Sequence, residues 1–260
     1  MITSTQNALV KRIRRLKQKK ARVNEGCFFV EGLRVVASAL EHGAQVERLI
    51  WCDKFLKSEF GRGLINSAEI PTVELSPNVF KAISDRDNPV GLGAIISTPN
   101  QSLASLPIQP TACYVALHEI SDPGNLGTII RTVDAAGATG VILVGNTVDV
   151  GNPSAVKASM GAFFSVPIAT VASLAHLLTW AGQHNLQTVA TTANTDTDYR
   201  STDYRLPSLL IMGNEGRGLS AETIAQADLA VSIPMRGVSS SLNLAVATGL
   251  MLYEITTGNA

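Results

Sequence analysis

The sequence predicts an α/β protein with two domains, the second of which is built on a mostly parallel sheet. Apolar runs typical of strands alternate with helix-like runs along most of the 260 residues, and 45% of the residues are hydrophobic. One segment, PNQSLASLPIQP at 99–110, has three prolines and little periodicity. We therefore predict a first domain over residues 1–98, a linker over 99–110 and a second domain over 111–260.

Helix and strand signals alternate on a small scale in the first domain. Leu9, Ile13 and Leu16 recur at helical spacing, with Thr3 or Ser4 available as an N-cap. The predicted helices cover residues 7–20, 33–42, 54–60 and 76–84. The predicted strands cover residues 27–32, 46–52, 72–75 and 93–97.

The second domain alternates more strongly, and its apolar, β-branched strands imply a parallel sheet with helices on both faces. Asn152 and Pro153 provide a cap and a first turn for one of these helices. The predicted strands cover residues 114–117, 140–145, 188–192, 209–212 and 229–233. The predicted helices cover residues 126–136, 153–160, 173–184, 219–225 and 242–255.

The formal net charge of zero hides an asymmetry along the chain. Residues 1–24 contain eight Lys and Arg and no acidic residue, which gives +8; the rest of the chain contains 13 basic and 21 acidic residues, which gives −8. A basic segment on an acidic body is typical of a protein that binds a polyanion. A solvated helix that aids solubility is the alternative.

Several kinds of site are disfavoured. The sequence has neither G-x-G-x-x-G nor G-x-x-x-x-G-K-[ST], which argues against an ordinary dinucleotide site and a P-loop NTPase. Its three cysteines lack C-x-x-C spacing and its four histidines lack metal spacing, so we expect buried, reduced thiols and no metal. No apolar run approaches the roughly 20 residues that span a bilayer. The basic N-terminal segment has no apolar signal core, so a cytoplasmic protein is the simpler interpretation and an organellar transit peptide the alternative.

Three segments each join a strand-like run to a Gly- or Asn-rich turn and a helix-like run. They are DPGNLGTIIRT from Asp122, IMGNEGRGLS from Ile211 and IPMRGVSSSLNLAVATGLMLYE from Ile233. In parallel α/β proteins such turns lie at the carboxyl ends of the strands, where ligands bind. We call them the first, second and third motifs.

The first motif contains a turn and an unusual arginine. Asn125 is available to cap the helix that follows the Asp-Pro-Gly turn. Arg131 stands among apolar residues, and its planar guanidinium suits a phosphate or a carboxylate. A structural ion pair, for example with Asp134, is the alternative.

The second and third motifs also carry more polar groups than a turn needs. Three glycines surround Glu215, which is placed to accept a hydrogen bond or to orient a neighbour; a tight turn without a ligand is the alternative. In the third motif, three serines ending at Ser241 precede Asn243, although one serine suffices to cap a helix. Capping plus a flexible turn is the alternative here.

Taken in order, the three motifs resemble those of the SpoU (TrmH) family of RNA ribose 2′-O-methyltransferases. The segments NALVKRIRRLKQKKAR, FFVEGLRVV and NPVGLGAII resemble the family's L30e-like substrate-binding domain. The resemblance covers nearly the whole chain. It implies a C-terminal SPOUT-type domain with a trefoil knot, a smaller N-terminal L30e-like domain, S-adenosylmethionine as the cofactor and a homodimer formed through the C-terminal domain.

The resemblance also implies roles for individual residues. The expected catalytic residues are Asn125, Arg131, Glu215, Ser241 and Asn243. The expected cofactor-binding residues are Thr192, Ala193, Met212, Gly213, Asn214, Gly216, Ile233, Met235 and Leu242. The expected RNA-binding residues are Lys11, Arg12, Arg14, Arg15, Lys19 and Arg34.

The resemblance therefore implies a methyltransferase that acts on a ribose 2′-hydroxyl, with ribosomal RNA preferred over transfer RNA as substrate. The resemblance assigns deprotonation of the hydroxyl to Arg131, but a guanidinium is effectively always charged. We expect Arg131 at least to hold the adjacent phosphate and to stabilise the developing alkoxide. A non-catalytic RNA-binding or ribosome-assembly factor and a small-molecule enzyme that uses a nucleotide are the competing interpretations.

Overall fold

The computed structural model describes residues 1–99 and 101–257, and its chain divides into two compact units. Unit 1 comprises Met1–Thr98 and Asp149–Phe164, and unit 2 comprises Pro99–Val148 and Ser165–Ala260. The segment 149–164 thus packs with unit 1, although it lies inside the range that we assigned to the second domain. Asn100, within the predicted linker, lies outside the described residues.

Ten strands and ten α-helices form the described part of the chain. The strands are β1 (Cys27–Glu31), β2 (Val46–Trp51), β3 (Thr72–Glu74), β4 (Leu92–Ser97), β5 (Cys113–His118), β6 (Gly140–Val144), β7 (Ile168–Val171), β8 (Gln187–Thr191), β9 (Ser208–Met212) and β10 (Leu229–Val231). The helices are α1 (Ala8–Arg15), α2 (Lys19–Glu25), α3 (Leu33–Glu41), α4 (Glu59–Ser67), α5 (Pro77–Ile83), α6 (Pro123–Ala135), α7 (Pro153–Ala158), α8 (Leu174–Gln183), α9 (Ala221–Gln226) and α10 (Leu244–Thr257).

Unit 1 is built on a mixed four-stranded sheet in the order β1-β4-β2-β3. Strand β4 pairs antiparallel with both β1 and β2, whereas β2 and β3 are parallel. The buried face of α1, Val10, Ile13 and Leu16, packs in a core cluster with α5 and with Ile50 and Ile95 of the sheet. The basic N-terminal segment is therefore part of the packed unit.

The single helix predicted over residues 7–20 is wrong, because the chain forms two helices there. Helix α1 begins after Asn7, whose Oδ1 accepts from the backbone N–H of Leu9 at 2.9 Å. The carbonyl groups of Leu16 and Lys17, at the end of α1, accept from the guanidinium of Arg22 at 2.9 and 2.7 Å. Side-chain donors thus replace the helical hydrogen bonds, and a second helix starts at Lys19.

Two further sequence-based expectations differ from the structure. The helix predicted over residues 54–60 is displaced to α4, because Ser58 caps the chain by accepting from the N–H of Gly61 at 3.3 Å. Strand β7 was absent from the prediction; it has only four residues and lies at the edge of its sheet, so its pattern is short.

Unit 2 contains a six-stranded sheet in the order β10-β8-β9-β5-β6-β7, in which every pair is parallel. Helix α8 packs on one face, where the rings of Tyr114 and Trp180 meet edge to face at 5.7 Å. Alternate residues such as Val115 and Leu210 are buried outside this cluster, so the second face is also covered. The predicted α/β class with a mostly parallel sheet is confirmed.

Candidate active site

The strand order creates a crevice at the carboxyl ends of β5 and β9. From β5 the chain crosses through α6 to β6 on one side, whereas from β9 it crosses through α9 towards β10 on the other side. Neighbouring strands whose connections leave in opposite directions form a switch point, which is where open α/β sheets bind ligands. The first motif follows β5 and the second follows β9, so both open into this crevice.

The carboxylate of Glu215 connects the two loops at the switch point. Its Oε2 accepts from the backbone N–H and the hydroxyl of Ser121 at 3.4 and 3.3 Å. Its Oε1 accepts from the N–H of Asp122 and from Nδ2 of Asn125, both at 3.3 Å. Glu215 therefore accepts hydrogen bonds from three residues around the first motif, Ser121, Asp122 and Asn125.

These donors keep Glu215 ionised. Burial raises the pKa of this carboxyl, but hydrogen bonds from its own backbone N–H and from Asn125, Asp122 and Ser121 together lower it further, so the net pKa lies below the ordinary 4.5. At neutral pH the group is therefore a fixed negative charge and an acceptor for four donors.

The third motif joins this network through a pair of amides. Nδ2 of Asn243 donates to Oδ1 of Asn125 at 2.9 Å, and Oδ1 of Asn243 accepts from the backbone N–H groups of Ala245 and Val246 at 2.9 and 3.3 Å. The chain of donors runs from Asn243 through Asn125 to Glu215. Asn125 of the first motif thus contacts one residue of each of the other two motifs.

Two capping expectations change. Helix α6 begins at Pro123 and is capped by Asp122, whose Oδ1 accepts from the N–H of Asn125 at 2.6 Å, so Asn125 lies in the first turn and is not the cap. Helix α10 is capped by Asn243, whose Oδ1 serves its first N–H groups. Because Asp122 caps α6, the side-chain amide of Asn125 is available to hydrogen-bond both Glu215 and Asn243.

The loop of the second motif is closed by its own atoms. Oδ1 of Asn214 accepts from the N–H groups of Gly216 and Arg217 at 3.0 and 3.2 Å, and its Nδ2 donates to the carbonyl of Glu119 at 2.9 Å. A Cβ on Gly213 would approach the backbone of Gly218 to 2.3 Å. Glycine is thus required at 213 by closure of the loop, and the side chain of Asn214 holds that closure in place.

Sequence reasoning missed two residues that order this edge, Glu119 and Ser121. Glu119 has φ 54°, which is uncommon for a residue other than glycine, and its carboxylate pairs with Arg217 at 2.7 Å. Both residues lie within three positions of the end of β5. Their position at a strand end, immediately before the first motif, is the signal that could have identified them.

Arg131 and Ser241 lie outside the network. Arg131 is exposed, and within residues 1–99 and 101–257 no hydrogen bond or ion pair joins it to Asn125, Glu215 or Asp134. Arg131 is six positions after Asn125 in α6, which places it about 9 Å further along the helix axis and on a different face. Ser241 is also exposed and has no side-chain hydrogen bond in the described part of the chain. Within one chain, therefore, neither Asn125 nor Glu215 holds the Arg131 side chain by a hydrogen bond or an ion pair.

The expected cofactor residues follow adjacent strands. Thr192 and Ala193 follow β8, Gly213 follows β9, and Ile233 and Met235 come shortly after β10. These three strands are neighbours in the sheet and run parallel, so the segments share its carboxyl edge.

The residues at this edge fit a ligand that carries an adenine and polar groups. The hydroxyl of Thr191 is buried and has no hydrogen-bond partner in the described structure. Met235 and Leu242 are exposed large apolar side chains. Apolar surface beside backbone and hydroxyl groups is the chemistry that a nucleoside site requires.

The expected RNA-binding residues of unit 1 fall into two groups. Arg12 is held by Glu25 at 2.6 Å and by both oxygens of Glu47 at 2.5 and 2.8 Å, and these carboxylates raise its pKa. Arg15 pairs with Glu25 at 2.8 Å. The other expected residues, Lys11, Arg14, Lys19 and Arg34, are exposed. Arg12 is thus a structural residue that ties α1 to α2 and β2.

Neither a membrane-spanning helix nor a metal-binding cluster is found in the described residues. None of their helices is long and apolar enough to cross a membrane. They contain no group of three or more His, Cys, Asp and Glu side chains placed to hold a metal ion.

Comparison with protein families gives two matches that together span most of the chain. The SpoU rRNA Methylase family model matches residues 112–253, and the model for an MRM3-like substrate binding domain matches residues 7–94. The first match contains all three motifs except the last residue of the third, Glu254, so the resemblance deduced from the motifs is confirmed.

Relatives of similar length are known. The 23S rRNA (uridine(2479)-2′-O)-methyltransferase of Streptomyces viridochromogenes is 33% identical over 92% of this chain and 85% of its own length. The 23S rRNA (guanosine(2553)-2′-O)-methyltransferase RlmP of Bacillus subtilis is 30% identical over 98% of both chains. The crystal structure of an AdoMet-bound rRNA methyltransferase from Sinorhizobium meliloti covers 100% of this chain and 98% of its own, with a TM-score of 0.90 and 39% identity. This chain belongs to the SpoU rRNA methylase family.

Proposed function

We propose that this protein transfers a methyl group from S-adenosylmethionine to a ribose 2′-hydroxyl of ribosomal RNA. The observation that carries the proposal is the Asn243–Asn125–Glu215 network, in which three distant motifs of a SpoU family chain converge at the switch point of the sheet. Ribosomal RNA is favoured as substrate because relatives that match over nearly the whole chain are named as 23S rRNA 2′-O-methyltransferases.

The residues after β8, β9 and β10 are proposed to hold the cofactor. The main chain at Thr192, Ala193 and Gly213 supplies polar contacts, and Met235 and Leu242 supply apolar surface. Met212, Asn214, Gly216 and Ile233 complete the set by shaping the loops around it. When bound, S-adenosylmethionine supplies an activated methyl group.

The network of the three motifs is proposed to position the loops around the reacting ribose. Alignment of the two reacting centres is a large part of catalysis in a transfer of this kind, and fixed loops supply it. Arg131 holds the phosphate beside the target and stabilises the alkoxide as it forms. Ser241 is exposed beside Leu242, where it is available to contact substrate or cofactor.

A second copy of the chain is proposed to complete the site. Val246, Leu250 and Tyr253 are exposed on α10 at spacings of four and three residues, so they form one apolar stripe. This stripe lines a groove with Thr128 and Thr132 of α6, and Arg131 is adjacent to Thr132 in sequence. Exposed apolar stripes of this kind mark interfaces. A homodimer formed here covers the stripe and places the Arg131 region of one subunit beside the partner.

Methyl transfer to RNA tests the proposal. Labelled S-adenosylmethionine is incubated with the protein and 23S rRNA transcribed without modifications, and the product is mapped by resistance of the methylated ribose to alkaline cleavage. We expect one resistant position, with Arg131→Ala losing single-turnover transfer by about 10²-fold or more. Arg131→Ala should bind the cofactor normally, as measured by calorimetry.

Two other results would contradict parts of this proposal. RNA binding without methyl transfer, under conditions where the cofactor binds, would indicate a non-catalytic RNA-binding factor. Near-normal transfer by Arg131→Ala would remove Arg131 from the catalytic set and leave the activity in place. We also propose that the protein acts in the cytoplasm, where ribosomal RNA is present.

A further inference from the structure

Unit 1 contains a cavity of about 400 Å³ that the site described above does not use. Its walls come from the end of β1, the start of α3, the turn after α5 and the segment around α7. All of these belong to the same compact unit, because residues 149–164 pack with it. The volume lies in the range of pockets that bind small organic groups.

The lining combines apolar surface with three cations. Phe29 and Met160 contribute an aromatic ring and an exposed thioether, the latter 49% accessible. Arg34, Arg86 and Lys157 stand at the same cavity and are all exposed. None of the three cations forms an ion pair with a carboxylate in the described part of the chain.

Two carboxylates also line the cavity, but both are engaged. Glu31 accepts from the N–H of Val90 at 2.7 Å and from the hydroxyl of Ser84 at 2.5 Å, so each of its oxygens is held by the wall. Asp85 pairs with Lys17 at 2.6 Å. Because Asp85 is paired with Lys17, three cations at the cavity face only the one remaining carboxylate charge of Glu31, so the lining is net positive and attracts an anion.

We propose that this cavity binds one unpaired nucleotide of the RNA substrate. A base packs against the Phe29 and Met160 surface, and its flanking phosphates bind Arg34, Arg86 and Lys157. Single-stranded RNA is recognised in this way, by bases set on apolar or aromatic side chains and by phosphates on cations. This inference rests on the proposed function, since it assigns a recognition site for the same RNA.

Charge-removing variants give the first test. Arg34→Gln combined with Lys157→Gln removes two cations that pair with no described carboxylate, so the fold should be kept, as checked by circular dichroism. The probe is a fluorescent single-stranded oligouridylate, and its affinity is measured over a range of salt. We expect at least about tenfold weaker binding and a salt slope lower in magnitude by about 1.4, as for two lost phosphate contacts.

A matched control and a neutral variant separate the cavity from general charge. Lys54→Gln combined with Lys57→Gln removes the same charge from exposed positions of unit 1 away from the cavity, and should change affinity by less than about twofold at physiological salt. Met160→Ala should weaken oligouridylate binding by about fivefold with an unchanged salt slope. Met160→Ala and the parent protein should bind an RNA duplex with equal affinity.

Several outcomes overturn the inference. Equal oligouridylate binding by the parent and the cavity variants would do so, as would no binding by the parent. Uridine 5′-monophosphate bound as tightly as the oligonucleotide would indicate a site for free nucleotides. Crosslinks from 4-thiouridine in the oligonucleotide should map to residues 29–35, 86–90 or 153–161, and crosslinks that map only elsewhere would also contradict it.

Methyl transfer tests the proposed function and oligonucleotide binding tests the cavity, so the two proposals can fail independently. If the parent protein methylates 23S rRNA while cavity variants bind the oligonucleotide normally, the cavity assignment fails and the proposed function stands. If the parent binds the oligonucleotide through the cavity but transfers no methyl group to any RNA, the proposed function fails and the cavity assignment stands.

Discussion

Asn243 donates a hydrogen bond from its Nδ2 to Oδ1 of Asn125 at 2.9 Å, although the two residues are 118 positions apart in the chain. The same Asn243 side chain caps α10 through its Oδ1. Its amide therefore has one orientation that satisfies both tasks. Because Oδ1 of Asn125 accepts from Asn243, the Asn125 amide is oriented with its Nδ2 towards Glu215, to which it donates.

Asn243→Asp should separate these two tasks. Aspartate retains the oxygen that caps α10, so thermal stability should stay close to that of the parent. It lacks the Nδ2 donor and sets an acceptor against Oδ1 of Asn125, which breaks the donor chain. We expect single-turnover methyl transfer to fall by about 10²-fold, because misplacement of a supporting group by about 1 Å has that effect.

Asn243→Ala is the matched comparison, since it removes the cap as well and should cost about 1 kcal/mol of stability. Unimpaired methyl transfer by Asn243→Asp would show that the link between Asn243 and Asn125 does not contribute to activity.

Glu215 should make stability depend on pH in a defined direction. Its pKa is lowered in the folded state, so as the pH falls the unfolded chain takes up the proton first. The contribution of the charged carboxylate is therefore complete at neutral pH and is lost as the pH falls below the ordinary 4.5. Glu215→Gln lacks this ionisation.

Urea unfolding of the parent and of Glu215→Gln, measured between pH 7 and pH 3, provides the check. The difference in the free energy of unfolding should favour the parent at neutral pH and shrink as the pH falls through this range. Other carboxylates with lowered pKa, such as Glu25 and Glu47, are common to both proteins and cancel in the difference. A difference that grows on acidification would contradict the role of Glu215.

Asp149 should be a strong determinant of the stability of unit 1. It pairs with Arg22 through two contacts at 2.8 and 2.9 Å, and the two side chains are only 9% and 4% exposed. Asp149→Asn leaves the Arg22 charge buried without a counter-charge. We expect a loss of about 3 kcal/mol or more in the free energy of unfolding, as found when one partner of a buried pair is removed.

Asp53→Asn is the control for this prediction. Asp53 pairs with Arg62 at 2.6 Å on the surface, where both side chains are largely exposed, so its removal should cost no more than about 1 kcal/mol. Equal destabilisation by the two variants would show that the buried Arg22–Asp149 pair contributes no more to stability than an exposed ion pair.

The basic N-terminal segment should divide into RNA-binding and structural residues. Lys11 and Arg14 are exposed and have no ion pair in the described structure, so Lys11→Gln with Arg14→Gln should weaken RNA binding and lower the magnitude of the salt slope by about 1.4 to 1.8. Arg12→Gln removes the ion pair to Glu47 and leaves Glu25 paired with Arg15 alone, so it should lower stability instead.

Filter binding at several salt concentrations, together with urea unfolding, distinguishes these effects. Point variants are preferable to removal of residues 1–22, since that truncation also deletes Val10, Ile13 and Leu16 from the core. An unchanged salt slope in the Lys11 and Arg14 variant would exclude these two side chains from the RNA contact.

The α10 stripe should control oligomeric state. Leu250→Glu places a charge in the middle of the proposed interface, and we expect the protein to sediment as a monomer and to lose methyl transfer. Val23→Glu is the control, because Val23 is exposed on α2 and its replacement should leave the mass unchanged. A parent protein that is monomeric and fully active would refute the proposed dimer.

Much of this protein could be predicted from its sequence, because much of it depends on local chemistry. The alternation of apolar strands with helices predicts the parallel sheet, and the Gly- and Asn-rich turns after β5 and β9 predict a site at its carboxyl edge. The surplus of polar groups in the second and third motifs drew attention to Glu215 and Asn243, whereas the candidacy of Asn125 came from the resemblance of the motifs to the SpoU family.

Which of those residues meet was decided only by the tertiary structure. Hydrogen bonds across about a hundred residues depend on strand order, and no local pattern encodes that order. Arg12 and Arg22 illustrate this limit: both belong to one basic run, yet packing pairs Arg12 with Glu47 of β2 and buries Arg22 against Asp149. Charge along a sequence is additive, whereas the partner of each charge is set by the packing of distant segments in three dimensions.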